Sequence, residues 1–281
     1  MPGTLFVVAT PIGNLEDITV RALRVLREVS VIAAEDTRRT AHLLARHAIE
    51  TPTTSLHEHN EAGKSRVLIE RLLRGESVAL VSDAGTPTVS DPGGLLIRSA
   101  IDAGLRVEAV PGPSALLAAL SSSGLPTESF TFLGFPPNRG KARNSWLERL
   151  QTIRGTIVFF EAPHRIEQTI DDLLAVVGDC EAAICRELTK AHEELVRGPI
   201  SSLYSRVAST KGEFTVVLNI GQLPDISGST ETMRPDIVRY FGELTANSAT
   251  SRRKAIQLVA ARHGLKPNVV YEIIEGSKKS G

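Results

Sequence analysis

Cysteine is scarce in this 281-residue chain, which has only Cys180 and Cys185. Residues five apart in one strand point to opposite faces, so the two thiols cannot easily meet and we expect no disulfide. The simpler interpretation is that both are small buried apolar side chains. With 42% hydrophobic residues the chain can bury a sizeable core without covalent crosslinks, and its length favours two domains with a small appendage.

Long apolar runs are absent as well. No stretch approaches the roughly 18 apolar residues that a membrane-spanning helix needs. The first residues, Met1-Pro2-Gly3-Thr4, lead into a predicted strand without the basic flank of a secretion signal. We therefore expect a cytoplasmic protein.

Two common nucleotide-binding motifs are missing. The segment 60–65 ends in Gly-Lys-Ser like a P-loop, but Glu58 stands where that motif requires its first glycine. No Gly-x-Gly-x-x-Gly follows a predicted strand, which argues against a dinucleotide site. His57 and His59 would share one face of a possible strand, yet no further pair has a clear metal-ligand spacing, so we expect no metal.

Charge is balanced overall, with 32 basic and 32 acidic residues, but it is unevenly distributed. Residues 234–281 contain nine Lys and Arg against four Asp and Glu, which leaves this tail at +5 and the rest of the chain at −5. Its helical patterns, separated by Gly264 and Pro267, resemble a helix-turn-helix. Such a module suits contact with a phosphate backbone through Arg252, Arg253 and Lys254; a helical packing element in a dimer is the alternative.

Short runs rich in Val, Ile and Phe alternate with stretches of helical spacing, which predicts an α/β fold. The first set of predicted strands is Leu5–Ala9, Val31–Ala34, Val78–Val81 and Val107–Val110. The second is Phe130–Leu133, Thr156–Phe160, Ala182–Cys185 and Phe214–Ile220, with helices around Trp146–Ile153 and Ile166–Val177.

A Ser- and Gly-rich hinge near residues 121–126 separates the two sets of strands, and residues 222–231 have the composition of a linker. The predicted organisation is therefore an N-terminal α/β domain (1–121), a second α/β domain (122–222) and a basic helical module (232–281).

Four loops that follow predicted strands are rich in Gly and Pro: residues 9–15, 82–94, 110–115 and 134–137. Loops at the carboxyl ends of parallel strands meet at one edge of the sheet, and Gly and Pro let a rigid backbone approach a ligand closely. The four loops together therefore predict a shared ligand cleft. They contain Asp83 and Asp91 but no Lys or Arg, which favours a neutral or cationic ligand over a phosphate.

Taken in order, these segments resemble the ribosomal RNA small subunit methyltransferase I family, which belongs to the tetrapyrrole methylase-like, class III group of S-adenosylmethionine methyltransferases. The motifs are Ala9–Ile18, Ala34–Arg38, Ser82–Pro87 with Ser90–Gly93, Pro111–Ala115 and Phe160–Arg165. The resemblance implies two α/β domains with S-adenosylmethionine in the cleft between them, usually in a homodimer. It also implies 2′-O-methylation of a cytidine ribose in the decoding region of 16S rRNA, within the 30S subunit.

The resemblance further implies a set of cofactor-binding residues on the matching loops: Pro11, Asp83, Ala84, Gly85, Val89, Ser114, Ala115, Leu133, Phe160, Ala162 and Phe214. Tetrapyrrole methylases commonly carry Gly-Asp-Pro in the second loop, whereas this chain has Gly85-Thr86-Pro87, and its first loop lacks their Gly-x-Gly-x-Gly form. Both departures match the rRNA branch and weaken a tetrapyrrole substrate.

A ribose 2′-hydroxyl is a poor nucleophile until its proton leaves, so the reaction calls for a base or for cations near the oxygen. Acidic and basic residues follow the second strand and two strands of the second domain. We favour Glu35 or Glu161 as proton acceptor, with Arg38, Arg165 and Lys190 on phosphates. Asp36 has a simpler interpretation as the cap of the following helix.

Two other functions remain open from the sequence. One is a tetrapyrrole methyltransferase of the same fold, of the precorrin or uroporphyrinogen type. The other is a non-catalytic, RNA-binding ribosome assembly factor whose cleft has lost its cofactor. A measurement of cofactor binding distinguishes the assembly factor, which would bind no cofactor, from a methyltransferase.

Overall fold

The computed structural model describes residues 1–207, 211–221, 237–242, 244–245, 252, 255–256, 259–260 and 267–279. The chain divides into two compact units, Met1–Ile220 and Gly221–Gly281. Both sets of predicted strands lie in the first unit, and the predicted basic module lies in the second. Residues 222–231 of the predicted linker and residues 262–266 of the predicted helix-turn-helix lie outside the described residues.

The first sheet is entirely parallel, as expected for strands alternating with helices. Its strands are β1 (Thr4–Val8), β2 (Val31–Ala34), β3 (Thr53–Ser55), β4 (Val78–Val81) and β5 (Arg106–Val110), in the order β3-β2-β4-β1-β5. Four helices accompany it: α1 (Val20–Glu28), α2 (Thr37–Arg46), α3 (Glu61–Leu73) and α4 (Gly94–Asp102). Separate apolar cores cover its two faces, which is why every residue of β2 and β4 is buried.

Side-chain caps fix where two of these helices begin. The hydroxyl of Thr19 accepts a hydrogen bond from the amide of Ala22 and starts α1, and the carboxylate of Asp36 accepts one from the amide of Arg38 and starts α2. The interpretation of Asp36 as a helix cap is confirmed. A 3-10 turn, Leu15–Asp17, precedes α1.

The second sheet is mixed. Its strands are β6 (Phe130–Phe132), β7 (Gly155–Glu161), β8 (Glu181–Arg186), β9 (Glu194–Pro199) and β10 (Phe214–Ile220), in the order β6-β7-β10-β8-β9, and only β6 and β7 are parallel. Helices α6 (Gly140–Thr152), α7 (Ile166–Val177) and α8 (Ile200–Leu203) pack on one face, and α5 (Ala115–Ser123) packs on the other. A 3-10 turn, Tyr204–Arg206, follows α8.

Several details differ from the sequence-based expectation. Strands β3 and β9 were not predicted, and α5 continues through Ser123, so half of the predicted hinge is helical. Helix α5 packs on the second sheet although the predicted boundary after residue 121 places it in the first domain.

Both cysteines are free, as predicted. Cys185 is buried in the core beneath α5, whereas Cys180 lies just before β8 and packs against the core on the opposite face.

The second unit has its own small core. Residues 237–242 and 244–245 are helical, and a further helix, α9 (Pro267–Lys279), closes the described part of this unit. Ile237, Val259, Val270 and Ile274 are buried together. Nowhere in the described part of the chain does a helix combine the length and the apolar character needed to span a membrane.

Candidate functional site

The loops after β1 and β4 are joined at the edge of the first sheet. Thr10 donates its amide to the carbonyl of Gly85 at 2.9 Å, and Gly85 returns a bond to the carbonyl of Thr10 at 3.0 Å. Gly85 has a φ of +79°, and a Cβ there would lie 3.3 Å from the side chain of Ile12. A glycine is therefore required where the two loops meet.

The loop after β4 is held in an unusual conformation. Thr88 and Ser90 both have a φ of +71°, a region that non-glycine residues seldom adopt. The end of the loop is tied to α3, because the carboxylate of Glu61 accepts hydrogen bonds from the amides of Gly93 and Leu95 at 3.1 and 2.8 Å. Backbone strain held by surrounding contacts is typical of ligand-binding loops.

The second sheet contributes an apolar wall. Phe160, near the end of β7, packs its ring against Phe132 and Phe135 with centroids 5.1 and 5.4 Å apart. Phe214, the first residue of β10, also lines the site, and its side chain is buried in the core on the other face of this sheet.

Between these loops and this wall lies a cavity of about 410 Å³. Residues of both sheets line it, so it forms only when the two sheets come together. Its size and its mixture of apolar side chains with a few polar groups are typical of a small-molecule site.

Carboxylates outnumber cations around the cavity. Those that line it are Glu35, Asp83, Asp91, Glu161 and Glu213, whereas Arg39 is the one cation among the described lining residues. Arg39 lies 3.5 Å from the carboxylate of Asp83, which also accepts a hydrogen bond from the amide of Asp36 at 2.9 Å. An excess of negative charge favours a ligand with a cationic group.

Two of these carboxyl groups hold their protons more tightly than usual. Burial raises the pKa of Glu35, and the negative charge of Asp83 raises it further. Burial also raises the pKa of Asp91 to about 6, followed by the effect of the Glu35 charge. Oε2 of Glu35 is buried and has no hydrogen-bond partner among the described residues, a combination that marks candidate functional groups in clefts.

Comparison with known proteins assigns the family. Residues 4–204 match the family described as Tetrapyrrole (Corrin/Porphyrin) Methylases. The chain belongs to the tetrapyrrole methylase family. The resemblance inferred from its motifs is thereby confirmed, as is the α/β fold.

Curated relatives within the tetrapyrrole methylase family resemble the chain over most of its length. It is 43% identical over 281 residues to ribosomal RNA small subunit methyltransferase I of Halalkalibacterium halodurans, covering 96% of this chain and 94% of that protein. It is 49% identical over 238 residues to the protein of the same name from Xylella fastidiosa, covering 83% and 87%. Uroporphyrin-III-C-methyltransferase from Thermus thermophilus shares the fold, with a TM-score of 0.55 at 21% identity, over 81% of this chain and 98% of that one.

Most residues that the sequence predicted to bind the cofactor lie around the 410 Å³ cavity: Asp83, Ala84, Gly85, Val89, Ser114, Ala115, Phe160, Ala162 and Phe214. Pro11 instead lines a neighbouring cavity of about 200 Å³. Leu133 lies in neither lining; its amide donates to the carbonyl of Val158 at 2.9 Å and extends the pairing of β6 with β7. Cofactor binding by these residues stays a prediction.

Both carboxylate oxygens of Glu161, one of two candidate bases, already have partners within the protein. Its side chain is fully buried and accepts hydrogen bonds from the hydroxyl of Thr169 at 2.6 Å and from the amide of Ala162 at 2.7 Å. It also forms an ion pair of 2.6 Å with Arg165, whose guanidinium donates to the carbonyl of Pro136. This geometry suits a structural pair, and it disfavours Glu161 as a base and Arg165 as a phosphate ligand.

The other two predicted cations differ in setting. Arg38 is exposed, pairs with Asp36 at 2.8 Å and lies outside both cavity linings. Lys190 lines the smaller cavity, but its ammonium is held by Glu187 at 2.9 Å and by Glu213 at 3.0 Å. Two carboxylates therefore already neutralise Lys190.

The structure adds residues that the sequence reasoning did not select. Arg39 lines both cavities, and Glu213 does so from the second sheet. Arg39 directly follows the motif Ala34–Arg38. The motif therefore pointed to this region of the chain, but it could not show which of the two adjacent arginines lines the cavities. Glu213 directly precedes β10 and carried no motif.

The sequence placed His57 and His59 on one face of a possible strand and predicted no metal site. His57 and His59 lie around a turn rather than in a strand, which corrects that expectation, and the ring of His57 lies 3.0 Å from the amide nitrogen of Asn60. In the described ranges, no three His, Cys, Asp or Glu residues are arranged to hold a metal ion.

Among the predicted RNA contacts of the second unit, only Arg252 is described. Its guanidinium pairs with Glu275 and lies 5.8 Å from the ring centroid of Tyr271. Arg253 and Lys254 lie outside the described residues.

Proposed function

We propose that the chain transfers a methyl group from S-adenosylmethionine to the ribose 2′-hydroxyl of a cytidine in the decoding region of 16S rRNA. The observation that carries this proposal is Glu35, which lines the acidic cavity and whose buried Oε2 has no hydrogen-bond partner among the described residues. Relatives that are 43% and 49% identical to this chain are named small-subunit rRNA methyltransferases, which supports rRNA as the methyl acceptor.

The residues around the cavity fit the methyl donor. When bound, S-adenosylmethionine supplies an activated methyl group on a positively charged sulfur. The carboxylates of Asp83 and Asp91 complement a cation, and the close packing at Gly85 leaves backbone near the ligand. Asp83, Ala84 and Gly85 from one loop and Ser114 and Ala115 from another would hold it, opposite Phe160, Ala162 and Phe214.

Glu35 is the proton acceptor in this proposal. It is the first residue after β2, at the same edge of the sheet as the donor loops. Its raised pKa, caused first by burial, makes it a stronger base than an exposed glutamate. The Glu35 carboxylate would take the proton of the acceptor hydroxyl as the hydroxyl oxygen gains the methyl group and the methyl–sulfur bond of the donor breaks, leaving a neutral thioether.

Arg39 is placed to stabilise negative charge near that hydroxyl. It is the cation that borders both cavities, and its only ion pair in the described residues is the 3.5 Å contact with Asp83. A long, weakly held pair leaves the guanidinium available to a phosphate or a developing oxyanion.

The test is methyl transfer from labelled S-adenosylmethionine to 16S rRNA, offered naked and as 30S subunits that lack the modification, with nuclease mapping of the product. We expect label in a 2′-O-methylcytidine of the decoding region. Label on a base, or transfer to uroporphyrinogen instead of RNA, contradicts the proposal.

Glu35→Gln tests the base. We expect kcat to fall by about 10² or more while cofactor affinity stays within about twofold, since a general base contributes on this scale. Glu148→Gln is the matched control, because Glu148 is exposed on α6 and lines neither cavity. Full turnover by Glu35→Gln removes Glu35 from the mechanism.

Three accompanying expectations belong to the same proposal. The chain acts in the cytoplasm, it works as a homodimer, and its substrate is the assembled 30S subunit. Sedimentation of the purified protein tests the second, and the comparison of naked RNA with subunits tests the third.

A further inference from the structure

One face of α2 is basic along its whole length. Arg38, Arg39, His42 and Arg46 are all exposed, and the ten residues of this helix include no Asp or Glu. We refer to these four residues as the α2 basic face.

The other three helices of the first sheet each pair one arginine with an acid of the same helix. Each of three contains an arginine paired with an acid four residues later: Arg24 with Glu28 in α1, Arg66 with Glu70 in α3, and Arg98 with Asp102 in α4. Such pairs are the usual arrangement of a solvated helix. Helix α2 departs from it, so its charge is not explained by helix stability.

The ion pairs of the α2 basic face come only from residues outside the helix. Arg38 pairs with the cap residue Asp36, and Arg39 has the longer contact with Asp83. Within the described ranges, His42 and Arg46 form no ion pair with any carboxylate. Two of the arginines also stand in the first turn, where the helix dipole disfavours cations.

The α2 basic face leads away from the cleft. Arg39 and His42 both line the smaller cavity, and Arg39 also lines the larger one. Residues 39, 42 and 46 fall on one side of a helix, so their side chains form a line about 10 Å long. Beyond its far end, Arg27 donates to the carbonyl of His47 at 3.0 Å and continues the basic strip.

We propose that the α2 basic face binds the phosphate backbone of the RNA strand that flanks the target nucleotide. This inference rests on the proposed function for its substrate and extends it by assigning a docking surface in the catalytic unit. Phosphates match a basic face whose far end, at Arg46, has no acidic partner among the described residues, and a face that starts at the cavity with Arg39 orients the strand toward Glu35. Such contacts position RNA without reading its sequence.

The experiment measures binding of a fluorescein-labelled RNA hairpin of the decoding region by anisotropy, over a series of KCl concentrations. The variants are Arg46→Gln and the double variant His42→Gln/Arg46→Gln. The matched control is Arg149→Gln, since Arg149 is exposed on α6 and borders neither cavity. Thermal unfolding of each variant confirms that it is folded.

We expect Arg46→Gln to weaken RNA binding about five- to tenfold and to lower the salt slope by about 0.7–0.9, the value for one lost phosphate contact. The double variant weakens binding further, and Arg149→Gln leaves both quantities unchanged. KM for RNA rises while kcat at saturating RNA and the affinity for S-adenosylmethionine do not change.

Wild-type values of affinity and slope in both α2 variants overturn the inference. An effect on 30S subunits without any effect on naked RNA also overturns it, because that result indicates contact with a ribosomal protein. If the variants behave as expected but the wild type methylates no RNA, the docking surface stands and the proposed reaction falls.

Discussion

The backbone amide of Asn14 donates a hydrogen bond of 2.9 Å to the hydroxyl of Thr189, which joins a loop of the first sheet to a loop of the second. The neighbouring Gly13 lies against the same segment. A Cβ at Gly13 would come within 2.5 Å of the Lys190 side chain and 2.9 Å of the Leu188 carbonyl. The two loops meet here because residue 13 has no side chain.

Gly13→Ala should therefore separate the loops. We expect a loss of about 1–3 kcal/mol in the free energy of unfolding, typical of overpacking, together with weaker cofactor binding. Urea unfolding and calorimetric titration measure the two effects. Gly63→Ala is the control, because a Cβ there meets no atom and alanine in helix α3 should stabilise by up to about 1 kcal/mol. Equal stability of Gly13→Ala and wild type is inconsistent with this contact.

Glu161→Gln should act on stability. The change leaves Arg165 without its buried partner, so we expect a loss of about 2–4 kcal/mol in the free energy of unfolding. Chemical denaturation measures it, with the exposed Glu148→Gln as control. A variant that unfolds like the wild type but has lost turnover would instead restore Glu161 as a catalytic base.

Asp91→Asn should change how stability depends on pH. The pKa of Asp91 is raised by burial from 3.8 to about 6, so the folded state holds this proton more tightly than the unfolded chain. The contribution of the protonated Asp91 carboxyl to the free energy of unfolding is fully present below about pH 4 and is lost as the pH rises through 6. The variant should gain over wild type across that window, reaching about 1 kcal/mol at pH 7 after allowance for partial exposure. A difference that is the same at every pH from 4 to 7 contradicts this assignment.

The two cysteines should be unreactive in the folded protein. Burial raises the pKa of Cys180 to about 11 and that of Cys185 to about 12, so very little thiolate forms at pH 8. We expect iodoacetamide to alkylate both thiols at least about 100-fold more slowly in the folded protein than in urea. Mass spectrometry measures the two rates. Rapid modification of either residue under native conditions would mean that its environment opens.

Sequence patterns located the central strands well, because β2 and β4 are buried on both faces and consist only of apolar residues. They missed β3 and β9 for a physical reason. β3 is three residues of Thr and Ser, and β9 contains Glu, Arg, Gly and Pro, so neither has an apolar run. Both are edge strands, whose exposed side needs no apolar residues.

Within the site, the Gly- and Pro-rich loops identified the cleft by their composition and by their position after strands. They could not distinguish Arg39 from Arg38, since adjacent residues on a helix face different directions and only Arg39 faces the cavities. Nor could the sequence separate Glu35 from Glu161, because each directly follows a predicted strand, one in an Ala-rich and the other in a Pro-rich motif.

The sequence by itself determined the alternation of strands and helices, the family and the loops that form the cleft, since these depend on local apolar patterns and on backbone freedom. Only the tertiary structure decided which charges are neutralised. The partners of Glu161, Lys190 and Arg39 are set by how the segments pack, and the pairing of Asp83 with Arg39 joins the loop after β4 to helix α2. The same packing left Oε2 of Glu35 buried without a donor, and this state, not the residue type, distinguishes it as the candidate base.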